Sequence, residues 1–135
     1  DEGFLGFENE QFVNSGQVMA AVPHQPVVQA MIEEYKKLHF TNADGSLNAV
    51  GCPHLNTDVM ERFGLVRNGR EQMVAGIHVY PADYFNPLDS VTGKLTKTEN
   101  TYSIHWYSMS WLPKHKQIKA KFGRLWRRIT KKVKS

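Results

Sequence analysis

The residues best suited to chemistry lie together in the stretch 99–111, which reads Glu-Asn-Thr-Tyr-Ser-Ile-His-Trp-Tyr-Ser-Met-Ser-Trp. These thirteen positions hold one imidazole, two of the three tryptophans of the chain, two tyrosines and three serines. Hydroxyl groups and an indole N–H donate hydrogen bonds to phosphate oxygens, and a neutral imidazole binds a divalent metal. The stretch therefore has the groups that a sugar nucleotide with its bridging metal requires.

Residues alternate along the first part of this stretch in the way that predicts a β-strand with two unlike faces. The face expected to pack into a core comprises Tyr102, Ile104 and Trp106. The face expected to meet a cleft comprises Ser103, His105 and Tyr107. An ordinary half-buried strand with aromatic cross-strand pairs would show the same alternation, so both interpretations stay open.

Length and composition predict one compact domain. The chain has 135 residues, of which 41% are hydrophobic, enough for one core and too few for two domains. The single cysteine, Cys52, excludes an intrachain disulfide and suits a reducing compartment. No run of eighteen apolar residues exists, and the first residues lack the basic and apolar regions of a signal peptide. Their strand-like content without an initiator methionine leads us to expect a fragment.

The positive net charge is the sum of two unlike parts. Residues 114–135 contain ten lysines and arginines and no acidic residue, whereas residues 1–113 carry a net charge of −6. The basic isoelectric point therefore reflects residues 114–135 more than residues 1–113. We accordingly divide the chain into an acidic body, 1–112, and a basic segment, 113–135.

The basic segment has the pattern of an amphipathic helix. Its apolar residues recur at helical spacing, at Ile118, Phe122, Leu125, Trp126, Ile129 and Val133. A basic amphipathic helix with a tryptophan is typical of an anchor on an anionic membrane surface. Docking on the acidic body and nucleic-acid binding are the alternatives, and we predict no nucleic-acid partner. A peripheral position on the inner, cytoplasmic face of the cell membrane follows from the first interpretation.

The elements that must position the chemical groups are helices and strands in mixture, so the fold class predicted is mixed α/β. Helical spacing of apolar residues predicts helices over Gln25–Leu38 and His54–Phe63. Short apolar or alternating runs predict strands at Leu65–Val66 and within Val74–Tyr80, and a strand or loop at Gly3–Glu8. The proline-bounded segment Pro81–Pro87 is expected to be extended.

Two polar interruptions have a structural and a functional interpretation each. Asn14, Ser15 and Gly16 interrupt a strand predicted over Gln11–Val22. They predict a bulge or a close backbone approach to another strand or to a ligand, or else a plain turn. The sequence Gly51-Cys-Pro53 before the second helix suits an anion at the helix N-terminus, or simply a helix cap.

Several short segments together resemble a known family. They are Gly6-Phe-Glu-Asn-Glu10, Asn14, Gly51-x-Pro53, Tyr84-Phe-x-Pro87, Glu99-Asn-Thr-Tyr-x-Ile-His105 and Ser110-Trp111. This set is similar to the C-terminal half of bacterial capsular-polysaccharide glycosyltransferases of family 32, which have an Asp-x-Asp sugar-binding region. The resemblance covers nearly the whole chain up to Trp111, and its most specific part is His105–Trp111.

The resemblance implies a GT-A type fold, a nucleotide-sugar donor, a divalent metal, usually Mn²⁺, and retention of anomeric configuration. It implies a glycan or a lipid-linked acceptor in surface-polysaccharide synthesis. The roles it implies by position are metal binding for His105, donor binding for Ser110 and Trp111, catalysis for Asn14 and Asp58, and acceptor or sugar binding for Glu8 and Thr57.

The sequence departs from the family pattern in one important respect, because it contains no Asp-x-Asp. In the family that motif and the nucleotide-binding half lie upstream of the Gly-Phe-Glu segment. We therefore expect the C-terminal part of a transferase, inactive by itself. The alternative function is a non-catalytic, membrane-associated module that binds carbohydrate or protein.

Overall fold

The computed structural model describes residues 1–48, 50–108, 114–115, 118–119 and 122–123. In this part of the chain the architecture is a four-stranded mixed sheet with its two longer helices packed on one face. The strands are β1 (Gly3–Gly6), β2 (Met19–Ala21), β3 (Gln72–Val74) and β4 (Ile77–Tyr80), in the spatial order β2-β1-β4-β3. Strands β1 and β4 are parallel, and the two outer pairings are antiparallel. The predicted mixed α/β class is confirmed.

The core lies between the sheet and two helices, α1 (Pro26–Lys36) and α2 (Cys52–Arg62). Alternation along β1 and β4 sends one set of side chains into this core, with Leu5 opposite Val79 in the register. The apolar residues buried there are Leu5, Phe7, Val13, Val27, Met31, Val59, Met60, Leu65, Val74, Ile77 and Val79. The opposite face of the sheet carries Phe4, His78 and Tyr80, which stay half-buried.

Helix α1 confirms the helix predicted over Gln25–Leu38, with slightly shorter bounds. Pro26 starts it, and the Gln25 side chain caps it by accepting hydrogen bonds from the backbone N–H groups of Val27 and Val28. The same Gln25 side chain donates to the Ala75 carbonyl at 2.7 Å. One buried glutamine therefore joins the start of the helix to the turn between β3 and β4.

Helix α2 confirms the second predicted helix and begins two residues earlier than expected. Its buried face includes the polar residues Asn56 and Thr57 beside Val59 and Met60. Gly64, with a φ of +101°, follows the helix as predicted, because glycine adopts this left-handed conformation without a steric penalty. The strand predicted at Leu65–Val66 is wrong. There the Gln72 side chain bonds both the N–H and the carbonyl of Val66, replacing a strand partner.

The segment Pro81–Pro87 was expected to be extended, and this prediction is wrong for its middle. Residues Ala82–Phe85 form a short helix, α3, which begins after Pro81. The Asn86 N–H donates to the Ala82 carbonyl at 2.7 Å and closes this single turn. Proline at a helix start is compatible with helical geometry, so the flanking prolines allow a turn of helix between them.

The strand predicted within 99–111 is also wrong for the described residues 99–108, which form no strand. The N–H groups of Tyr102 and Ser103 both point at one carbonyl, that of Tyr84 in α3, at 2.8 and 3.3 Å. Tyr102 and Trp106, expected in the core, are 79% and 62% exposed. Alternation makes a strand possible, but a strand forms only where a neighbouring strand supplies hydrogen bonds. This segment instead lies against α3.

Six residues of the basic segment are described, and all six have helical backbone: 114, 115, 118, 119, 122 and 123. Ile118 and Phe122, one turn apart, are 54% and 68% exposed. The remainder of the predicted tail helix lies outside the described residues. Within the described part of the chain, no helix has the length and apolarity needed to span a membrane.

Candidate functional site

A polar cleft of about 520 Å³ opens between the loop after β1 and the segment that follows β4. We call it the polar cleft. Its walls carry carboxylates, amides and hydroxyl groups, from Glu8, Asn9, Glu10, Asp83, Asn86, Asp89, Ser90, Thr96 and Thr98. Apolar surface from Ala82, Pro87 and Val91 lies among these groups. The described residues that line it include no lysine or arginine. Such a lining accepts hydrogen bonds from sugar hydroxyls, whereas an anionic diphosphate would need a cation between it and the carboxylates.

The Glu8 carboxylate is held in a defined orientation by Asn14. The Asn14 Nδ2 group donates to Glu8 Oε2 at 2.8 Å. Asn14 Oδ1 accepts from the Gly16 N–H at 2.7 Å and from the Cys52 Sγ at 3.4 Å, which fixes which end of the amide faces Glu8. A Cβ at position 16 would lie 3.0 Å from Asn14 Oδ1, so glycine permits this close approach. The interruption at 14–16 is therefore a turn that positions a cleft residue.

Asn86 and Tyr107 extend these hydrogen bonds into a network around Glu8. The Asn86 Nδ2 group donates to the Glu8 carbonyl at 2.9 Å and to the Tyr107 hydroxyl at 2.6 Å. Asn86 is only 4% exposed, and its Oδ1 finds no hydrogen-bond partner within the described part of the chain. A buried amide oxygen without a partner is uncommon in a folded protein, which makes Asn86 a good candidate for a ligand contact.

Tyr107 is unusual both in its backbone and in its phenol. Its φ of +48° is a left-handed conformation that a bulky residue rarely adopts. Burial raises the pKa of its phenol well above the ordinary value, and the nearby negative charge of Glu8 raises it further. The hydrogen bond from Asn86 opposes this rise in pKa. The phenol is therefore a neutral group beside the Glu8 carboxylate at physiological pH.

His105 lies next to this network through its ring contact with Tyr107, with centroids 4.3 Å apart. Its Nδ1 atom is buried and has no hydrogen-bond partner among the residues that the structure describes. An unpartnered imidazole nitrogen has the chemistry of a metal ligand. It supplies one ligand, and no group of three or more His, Cys, Asp or Glu side chains among the described residues is arranged to hold a metal ion.

Thr57 and Asp58 lie in different surroundings from Glu8 and Asn14. Thr57 is fully buried, and its hydroxyl accepts from the Val13 N–H at 3.0 Å and donates to the Pro53 carbonyl at 2.6 Å. It therefore anchors the chain just before Asn14. Asp58 is exposed and pairs with Arg67 at 2.8 Å, and neither residue lines the polar cleft. The structure thus joins Glu8, Asn14 and His105 and leaves Asp58 apart.

Ser110 and Trp111, the expected donor-binding residues, lie outside the described residues. The network also contains Asn86, which the sequence did not single out. Its only signal was its position in the Tyr84-Phe-x-Pro87 segment. The sequence predicts Tyr107 on the same polar face as His105. The two rings are in contact, although the predicted strand does not form.

Comparison with protein-family models, with curated protein sequences and with solved structures finds no match for this chain. The functional argument therefore rests on the residues and the geometry of the polar cleft.

Proposed function

We propose that this chain is the acceptor-side portion of a metal-dependent, retaining glycosyltransferase of GT-A type, acting in surface-polysaccharide synthesis. The observation that carries the proposal is the Glu8 carboxylate, which Asn14 orients at the wall of a cleft whose lining includes carboxylates, hydroxyls and amides. In this role Glu8 accepts a hydrogen bond from an acceptor hydroxyl, and Asn14 positions Glu8. The sequence resemblance implies the same acceptor or sugar-binding role for Glu8, whereas it implies catalysis for Asn14.

The donor side of the proposed reaction involves a nucleotide sugar and a divalent metal such as Mn²⁺. His105 Nδ1 would be one metal ligand, and the carboxylates of an Asp-x-Asp motif, which this sequence lacks, would be the others. When bound, the metal would neutralise the leaving diphosphate. We therefore expect the chain alone to bind ligands without turning over nucleotide sugars.

Titration calorimetry with uridine and guanosine diphosphate, with and without MnCl₂, tests this proposal. We expect binding that requires Mn²⁺ and that His105→Ala weakens at least tenfold, as for a lost metal ligand. His24→Ala is the matched control, because His24 is an exposed imidazole outside the network. Binding that is independent of Mn²⁺, or equally weakened by both variants, would contradict a metal-bound donor at His105.

A second candidate function is a non-catalytic carbohydrate-binding module. The cleft lining favours it, because the described lining groups suit neutral sugar hydroxyls directly and offer no cationic side chain to a phosphate. Sugar binding that depends on Glu8, combined with no affinity for nucleoside diphosphates in the presence of Mn²⁺, would select this function over the transferase.

For either function we propose that residues 114–135 hold the protein on the inner face of the cell membrane. The ten basic side chains would attract anionic headgroups, and exposed apolar residues such as Ile118 and Phe122 would enter the interface.

A further inference from the structure

A second concave surface lies on the side of the sheet opposite the core. It is an open groove of about 270 Å³ lined by five aromatic side chains, Phe4, Tyr80, Tyr84, Phe85 and Tyr102. We call it the aromatic groove. Because α1 and α2 cover only the other face of the sheet, these rings remain partly open to solvent. Tyr102 is the most exposed of them, at 79%.

The rings of the aromatic groove touch one another and form a continuous wall. Tyr84 lies 4.9 Å from Tyr80 and 6.2 Å from Tyr102, each at an interplanar angle of 31°. Phe85 lies 5.8 Å from Phe4, with planes 26° apart. Rings in mutual contact leave no space for a small group enclosed between them, so a ligand must lie along the wall.

Polar groups border this apolar wall. Three of the five lining rings, those of Tyr80, Tyr84 and Tyr102, carry a phenol hydroxyl. Partial desolvation raises the pKa of the Tyr84 phenol, and the neighbouring carboxylates of Glu71 and Asp83 add to this rise. The groove therefore combines aromatic ring faces with phenol hydroxyls.

This combination matches the surface of a sugar ring. A pyranose presents C–H groups on a face and hydroxyls around its rim, and the negative face of an aromatic ring attracts polarised C–H hydrogens. The phenol hydroxyls can then exchange hydrogen bonds with the rim hydroxyls. A purely apolar partner would bury the three phenol hydroxyls without offering them a hydrogen-bond partner.

The aromatic groove and the polar cleft are close enough for one ligand to occupy both. Helix α3 separates them: Ala82 and Asp83 line the polar cleft, and Tyr84 and Phe85 line the aromatic groove. Four residues of helix extend about 6 Å. A sugar chain that enters the polar cleft therefore reaches the aromatic rings within a few sugar units.

We propose that the aromatic groove is a second carbohydrate subsite, so that the ligand of this protein is an oligosaccharide that crosses α3 from the polar cleft. The sugar class of the ligand rests on the proposed function of the polar cleft, whereas the stacking subsite does not depend on sugar transfer. The groove selects for chain length, because only a ligand of several sugar units contacts both surfaces.

The test is calorimetric titration of the full chain with cello-, malto- and manno-oligosaccharides of increasing length. For the series that binds, we expect affinity to rise at least tenfold from the monosaccharide to the longest member. Tyr102→Ala should remove this gain and leave monosaccharide affinity unchanged, because Tyr102 is outside the polar cleft. Tyr84→Phe, which keeps the ring and removes the hydroxyl, should retain part of the gain.

The matched control is Phe40→Ala, at an aromatic residue that is 80% exposed in another part of the chain and should change nothing. Affinity that is independent of length, or a gain that survives in Tyr102→Ala, would overturn the subsite. So would concentration-dependent dimerisation that Tyr102→Ala abolishes, because the wall would then be covered by a second copy. A length-dependent gain that Tyr102→Ala removes, with no effect of Glu8→Gln on any ligand, would instead overturn only the function proposed for the polar cleft.

Discussion

At the scale of single residues, the candidate site is organised around one carboxylate with fixed neighbours. Asn14 orients the Glu8 side chain, and Asn86 binds the Glu8 carbonyl and the Tyr107 hydroxyl. Each of these hydrogen bonds comes from a buried side-chain amide. Breaking the bond would leave the amide buried without a partner, which costs its desolvation free energy, so the amide keeps its orientation. The carboxylate is thereby preorganised for a ligand in the polar cleft.

The raised pKa of Tyr107 predicts how stability depends on pH. In the unfolded chain its phenol loses a proton at about pH 10, but in the folded protein it does so only at higher pH. Its contribution to stability is therefore complete below pH 10 and is lost as the pH rises through the folded-state pKa. Urea unfolding at neutral and alkaline pH should show a larger loss for the wild type than for Tyr107→Phe.

Tyr102→Phe is the control for this measurement, because Tyr102 is exposed and the variant keeps the contribution of Tyr107 to stability. This variant should lose stability with pH as the wild type does. Equal pH dependence of the wild type and Tyr107→Phe would show that Tyr107 is not protected from ionisation in the folded protein.

At the scale of elements, the turns and the short helix decide where the functional groups lie. Helix α3 separates the two concave surfaces. Its Tyr84 carbonyl accepts hydrogen bonds from the N–H groups of Tyr102 and Ser103, in the segment that also contains His105 and Tyr107. The turn between β3 and β4 contributes the Ala75 carbonyl, which is the partner of the buried Gln25. Both features depend on stretches of backbone that are too short to show a hydrophobic periodicity in the sequence.

The turn between β3 and β4 contains backbone strain that a substitution can relieve. Ala75 and Gly76 both have positive φ, of 46° and 85°, which is the pattern of a two-residue type I′ turn. Alanine pays a steric cost in this conformation, whereas asparagine tolerates it and Asn-Gly is the preferred pair. Ala75→Asn should raise the free energy of unfolding by about 0.5–1 kcal/mol in urea denaturation.

Ala43→Asn provides the control, because Ala43 is exposed in a loop and has no positive φ. This substitution should change stability by less than about 0.5 kcal/mol. A stability gain of equal size in both variants would assign the effect to asparagine itself and not to the turn.

At the scale of the whole molecule, two asymmetries stand out. The sheet is covered by helices on one face and carries an aromatic groove on the other. The charge is divided between an acidic body and a basic segment, 114–135. In the proposals above, the groove binds carbohydrate and the basic segment binds an anionic membrane.

The basic segment predicts binding to anionic vesicles. The full chain should co-sediment with phosphatidylserine-containing liposomes and not with pure phosphatidylcholine, because each basic residue near an anionic surface contributes about 1 kcal/mol. Phe122→Ala should weaken this binding, and added salt should do the same. A chain lacking 114–135 that still bound these liposomes equally would refute the anchor.

The sequence by itself determined the mixed α/β class, both long helices, a strand within Val74–Tyr80 and the division of charge. These features depend on local periodicity, on proline and glycine, and on composition, all of which act over neighbouring residues. Only the tertiary structure decided that residues 99–108 lie against α3 instead of forming a strand, and that Asn86 and Tyr107 meet Glu8. Those outcomes depend on which distant backbone groups are left to bond, and a pattern along the chain does not contain that information.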